Sequence, residues 1–185
     1  MRFPNPLSII PAAIGLIFAF PAYSSGQAYY TESGHVEFHS DVPLHSFTGV
    51  SDHLVGKINL ADSTVDFYVD INTLDTGIGM RDDDMRETLQ AKQYPFASFY
   101  GTLVSGFNAS SNQPQSVRVE GDFSIHGRSQ PIAVEGTLQK TGKGLKLTAS
   151  WSLNMRDYDI KPPGILFYRV SEIVDISIEA LLTPK

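Results

Sequence analysis

The side chains with chemistry to offer fall into three groups: a run of carboxylates, five histidines and a set of arginines. Asp82-Asp83-Asp84 is the densest acidic cluster. Consecutive residues of a helix point about 100° apart, so three adjacent carboxylates do not converge on a cation or form an acid–base pair. They fit better in the first turn of a helix, as dipole partners on a solvated face. His35, Glu37 and His39 alternate along one face of a strand, with Asp41 next. Two histidines at i and i+4 of a strand stand roughly 13 Å apart at ~3.3 Å per residue, too far to share a metal. His39, His45 and His53 show no ligand spacing. Neither a metal nor a cofactor is therefore expected. Arg81, Arg86, Arg128 and Arg156 sit in turns or at a helical stretch, where a guanidinium can grip a carboxylate or pyrophosphate with two parallel hydrogen bonds. The competing use is structural, with Arg81 and Arg156 paired to the adjacent Asp82 and Asp157. There is no Gly-x-Ser-x-Gly elbow, no His-Glu-x-x-His, no Gly-rich phosphate loop and no cysteine. An enzyme is not expected.

Composition narrows the partners. The chain has 185 residues and a formal charge of -6, with 42% hydrophobic and 18% charged residues. That is a folded chain, and an acidic one, which argues against nucleic acid as a partner and against docking on anionic lipid by charge. The absence of cysteine excludes disulfides and thiolate chemistry. Residues 1–28 read apart from the rest. Arg2 is the only charge before Glu32, Leu7 to Phe20 is almost continuously apolar, and small residues follow around Ala22 to Ala28. A basic start, a short apolar stretch and a small-residue cleavage site describe a secretory signal peptide. The apolar stretch is shorter than the ~18 residues of a spanning helix. The expectation is a periplasmic or secreted domain at 29–185 with no integral membrane segment.

The elements that must position these residues are mostly strands. Thr64 to Ile71 alternates Val65, Phe67, Val69 and Ile71 with Asp66, Tyr68 and Asp70, the pattern of one dry and one wet face. Ser116–His126, Pro131–Gln139, Leu145–Leu153 and Val174–Leu182 repeat it, with weaker candidates at His35–Ser40, His53–Asn59 and Phe96–Gly106. Turns with glycine at His126–Ser129 and Thr141–Gly144 indicate antiparallel hairpins. About eight such strands must stack as two sheets or close into a barrel. Met80 to Gln90 breaks the alternation. Met85 and Leu89 share a helical face there, so a short helix is expected against the end of the sheet. Tyr68 and Tyr100, beside Phe67 and Phe99, suggest strands buried on both faces or covered by the helix.

Four phrases in order resemble the YceI-like, or polyisoprenoid-binding, family of exported bacterial proteins. They are Ser33-Gly34-His35-Val36-Glu37-Phe38; Asn72 to Gly77 with Met80-Arg81-Asp82 and Tyr94 to Phe99; Phe123 to Ile132; and Met155 to Ile160, where Asp159 stands in place of the usual Gly. The resemblance implies an all-β, single antiparallel eight-stranded lipocalin-like barrel with a short helix near its opening. It also implies a long-chain isoprenoid or fatty-acyl lipid held in the lumen. On that reading Val65, Phe67, Val69, Phe99, Phe123, Ile125, Val134, Leu147, Trp151 and Ile176 line a ligand channel, where the plain reading makes them a packed core. Arg81, Arg156 and Tyr158 then stand at the mouth and orient a polar ligand end. The expected function is an exported lipid carrier, with a homodimer admitted as its assembly. The alternative is a side-chain-filled barrel that binds another exported protein through the segment near Asp41–His53.

Overall fold

Period-two alternation and glycine-bearing turns carry the chain through eight strands: β1 (Ala28–Val42), β2 (His45–Asn59), β3 (Thr64–Asp70), β4 (Phe96–Leu103), β5 (Gln115–Ile125), β6 (Arg128–Thr141), β7 (Gly144–Asn154) and β8 (Ile173–Pro184). The computed structural model describes residues 28–42, 45–161 and 171–185. The segment expected to be a signal peptide lies outside the described residues except for Ala28. Every strand pairs antiparallel with the next, and β8 returns to β1, so the sheet closes into a barrel. The two-sheet alternative is thereby excluded. In β3, Val65, Phe67 and Val69 are buried while Asp66 and Tyr68 face outward. One strand fixes the pleat, and the pleat directs each apolar face inward around the ring.

The first hairpin is longer than its sequence suggests. β1 and β2 each run 15 residues, well past the short segments expected at His35–Ser40 and His53–Asn59. Register shifts between Thr31 and Gly34 and between Gly34 and Val36 break the alternation. Buried positions here mix Tyr29, Val36, Leu54 and Ile58 with Thr31, Gly34, Ser40, Ser51 and Gly56, so period two in the fold leaves only a weak period two in hydrophobicity. The His/Ser/Thr-rich stretch near Asp41–His53 is mostly strand, with 43–44 outside the described residues.

One end of the barrel carries Ala28 and Lys185, and Lys185 N donates to Ala28 O there at 3.3 Å. The opposite end carries α1 (Gly79–Thr88), between β3 and β4, and 3-10 turns at Ile71–Thr73 and Met155–Tyr158. Met85 and Leu89 pack on the core from that helical end. Two expectations are corrected. Asp82 is not on a solvated face but only 7% exposed. Tyr68 and Tyr100 are not covered by the helix; Tyr100 is 63% exposed and Tyr68 meets Phe96 edge-on at 5.5 Å on the outer surface. Among the described residues, no helix is long and apolar enough to cross a membrane.

Backbone sign explains two turns. His126 and Gly127 have φ of 56° and 70°, the paired positive values of a tight hairpin that matches strand twist. Asp159 ends the Met155–Tyr158 turn at φ 55°, where a Cβ crowds the following carbonyl and Gly or Asp is best tolerated. Its carboxylate also pairs with Arg128 Nη2 at 2.6 Å. We expect Asp159→Ala to lower stability by about 1–2 kcal/mol, with Asp159→Gly close to wild type. Urea unfolding of both variants checks this, and equal losses would remove backbone conformation as the cause.

Candidate functional site

The inward faces converge on a central cavity of about 80 Å³. Of the residues expected to line a channel, Val65, Phe67, Phe99, Val134, Leu147 and Trp151 do form its wall. Val69, Phe123, Ile125 and Ile176 do not. They lie toward the helical end, where Tyr158 meets Phe123 edge-on at 5.7 Å, and they belong to the hydrophobic core or pack against it. The wall also includes residues that sequence reading did not single out, among them Val36, Leu54, Ile58, Leu103 and Ala149. Leu138, Leu145 and Leu182 are almost wholly buried and close the barrel toward the termini.

The bore is shaped by rings lying over glycine. A methyl placed on Gly56 would collide with the Phe67 ring, and one on Gly49 with the Phe38 ring. Each glycine leaves a seat in which the opposing ring rests against the wall instead of crossing the lumen. Gly56→Ala should push Phe67 inward at a cost of roughly 1–3 kcal/mol. A thermal melt compared with wild type measures it, and an unchanged melt would mean that the ring has another place to go.

The polar groups gather at the helical end. A cleft of about 600 Å³ is bounded there by Thr88, Gln90, His126, Arg156, Asp159, Ile160 and Lys161. It shares no lining residue with the central cavity. Tyr158 stands between the two in a chain of contacts. Its ring touches Phe123, Phe123 touches Trp151 at 5.9 Å, and the Tyr158 carbonyl accepts from His126 Nδ1 at 3.0 Å. A carbonyl only accepts, so Nδ1 carries the hydrogen, and Nε2 is buried without a hydrogen-bond partner. Tyr158 therefore does not stand exposed at the mouth. It is 3% exposed, and burial, with Asp157 adding to it, raises its phenol above the usual range.

The two arginines part company. Arg156 pairs with Glu172 rather than with Asp157. Arg81 lies over the Phe47 ring at 4.8 Å, a cation–π contact, and is not part of the cleft. The histidines of β1 serve the outer wall: His35 Nδ1 meets Asp52 Oδ1 at 2.7 Å and His39 Nδ1 meets Thr48 Oγ1 at 3.2 Å.

Asp82 holds the helical end in place. Its Oδ1 accepts from Thr76 N at 2.8 Å and Thr76 Oγ1 at 2.6 Å. The neighbouring Asp75 exchanges two backbone hydrogen bonds with Val50, both 2.9 Å, so the segment is tied to β2 on one side and to α1 on the other. The Thr76 hydroxyl, the strongest influence, together with its N–H and Arg86, holds the Asp82 carboxyl below its ordinary value. A depressed folded-state value gives stability that is present above the ordinary value of 3.8 and lost as pH falls through the depressed one. Asp82→Asn should cost about 1.5–3 kcal/mol at neutral pH and converge with wild type in acid. Denaturant melts across pH 2–7 test this, and a constant gap would show that the carboxylate charge is not the cause.

Comparison with known proteins agrees with this architecture. A family model described as the YceI-like domain matches residues 29–182. A UPF0312 protein of Pseudomonas putida is 30% identical over 99 residues, covering 50% of this chain and 48% of that protein. One of Vibrio parahaemolyticus is 28% identical over 133 residues, covering 68% and 67%. The chain thus spans about half the length of the first curated relatives it matches. Among solved structures, a polyisoprenoid binding domain from Saccharophagus degradans, implicated in plant cell wall breakdown, superposes with a TM-score of 0.73 at 18% identity, over 85% of this chain and 98% of that one. BcnA of Burkholderia cenocepacia superposes at 0.65 with 19% identity, over 81% and 96%. A Campylobacter jejuni YCEI protein does so at 0.55 with 13% identity, over 98% and 99%. At these identities the likeness establishes the shared barrel fold.

Proposed function

Because the chain belongs to the YceI-like domain family, we propose that its barrel binds a long-chain isoprenoid or fatty-acyl lipid and carries it through water. The observation that carries this reading is the central cavity, walled almost entirely by apolar side chains inside a barrel whose exterior is charged. Removing a lipid chain from water into such a lumen gains ~25 cal/mol per Å² of apolar surface. The binding named for the Saccharophagus domain is of the same kind. The lumen must widen to do this, since about 80 Å³ is well under the ~300–1,000 Å³ of pockets that enclose drug-sized ligands. The rings resting on Gly49 and Gly56 are the parts placed to move. A charged or polar ligand end would sit in the cleft beside Arg156, with Arg81 outside that site. No catalytic step is part of the reading.

We propose further that residues 1–28 act as an export signal and that the barrel works in the periplasm or outside the cell, on the strength of the charge, apolar run and small-residue pattern alone.

The small free volume also favours a second reading, a filled barrel that acts as an interaction module through its surface. Native mass spectrometry of protein purified from its own cells separates the two: a co-purified lipid supports the carrier, and a lipid-free species supports the module. Delipidated protein should also gain roughly 5–10 °C of thermal stability at a hundredfold excess of a polyprenyl or fatty-acyl ligand over its Kd. Ala149→Phe, which fills the lumen from β7, should abolish that gain. A gain that survives the substitution would move the lipid out of the barrel.

A further inference from the structure

Trp151 is the one tryptophan of the chain, and it forms part of the cavity wall. Its indole Nε1–H is buried and meets no hydrogen-bond partner. An indole nitrogen is a donor only, and a buried tryptophan ordinarily finds an acceptor. Around this one the wall offers alkyl groups and rings: Leu147 and Ala149 on its own strand, Val134 on β6, Ile178 on β8. Phe123 meets the indole at 5.9 Å and 67°, and a π face is at best a second-order acceptor. Water is a poor answer to the same need. A buried water requires two to four polar partners, and beside the indole the wall's polar side chains are Ser98 and the outward-facing Tyr68 alone.

The partner that satisfies these constraints is an acceptor oxygen carried on an otherwise apolar molecule. We propose that the lumen selects its ligand by a hydrogen bond from Trp151 Nε1–H to a single acceptor oxygen, such as a ketone, ester or quinone carbonyl, embedded in or ending a hydrocarbon chain. This rests on the reading of the lumen as a ligand site and specifies the chemistry that the ligand must carry there. It also fixes an orientation. Trp151 lies in the half of β7 nearer the helical end, three residues before Asn154, where that strand stops. The oxygen therefore sits toward the helical end and the hydrocarbon remainder runs down toward Ile58 and Leu138. A lipid with its polar group only outside the barrel would leave the indole unmet.

A single tryptophan gives a single indole cross-peak in a ¹H–¹⁵N spectrum, so the wild-type protein reports on this contact directly. The probes are farnesylacetone, an isoprenoid ketone, and the hydrocarbon bearing a methylene in place of its carbonyl. Both should bind, as read by displacement of a fluorescent fatty acid. The ketone alone should move the indole proton downfield. Trp151→Phe should lose roughly threefold to tenfold more affinity toward the ketone than toward the hydrocarbon. If both probes bind wild type and shift the indole proton alike, the hydrogen-bond proposal is overturned while the lumen reading stands. If neither binds, the lumen reading falls and this one with it. Should Trp151→Phe not fold, the wild-type cross-peak still decides.

Discussion

Closure of the sheet between β1 and β8 is the constraint on which the rest depends. Once β8 pairs with β1, the ring has no edge strand, and most of the strands' polar backbone is satisfied within the wall. Side chains then have two destinations, and the pleat assigns them strictly in turn. Everything inward must tolerate a dry interior. That is why the inner face is Val, Leu, Ile and Phe with small residues between them, and why Lys146 and Glu179 or Arg118 and Glu135 meet on the outside. Among the described residues, Trp151 Nε1 is a buried donor without a partner, and it stands out against that background.

The two ends of the barrel solve different problems. Toward Ala28 and Lys185, the fully buried Leu145 and Leu182 complete the packing. At the helical end the β3–β4 and β7–β8 connections are long, and they bring in polar groups that have to be held. Thr76 and Asp82 do this for α1, and the Asp159 turn with its Arg128 partner does it for the segment carrying Tyr158. The cleft and the cavity meet at Tyr158 without merging, so a ligand spanning both would have to pass that ring.

Much of this was legible in the residues. Val65, Phe67 and Val69 announced β3, and the glycine of His126–Gly127 announced its hairpin, because alternation and positive φ leave local marks. The first hairpin left only faint ones, at His35–Ser40 and His53–Asn59. Its bulges shift the register, and the glycines and serines among its inward residues carry no hydrophobic signal. The exposure of Tyr68 and Tyr100 was hidden for the converse reason, since a large aromatic on an outer face reads like a buried one. Asp82 looked like its neighbours Asp83 and Asp84, and only the distant placement of Thr76 separates it from them. Of the site, the residues of regular strands could be named in advance. Where the hollow stops and solid packing begins, which decides between Val134 and Ile125, depends on side chains delivered by loops.

The seam itself has a consequence for how the chain reaches this shape. Seven of the eight strand pairs join neighbours in sequence and can zip locally from their turns. The eighth pairs Val36 with Ile178, about 140 residues apart. Its loop-closure entropy must be met before any of its contacts form. The encounter of the first and last strands is therefore the costliest loop closure in this topology, and until they meet, a row of unpaired amides on each is open to any other strand in solution.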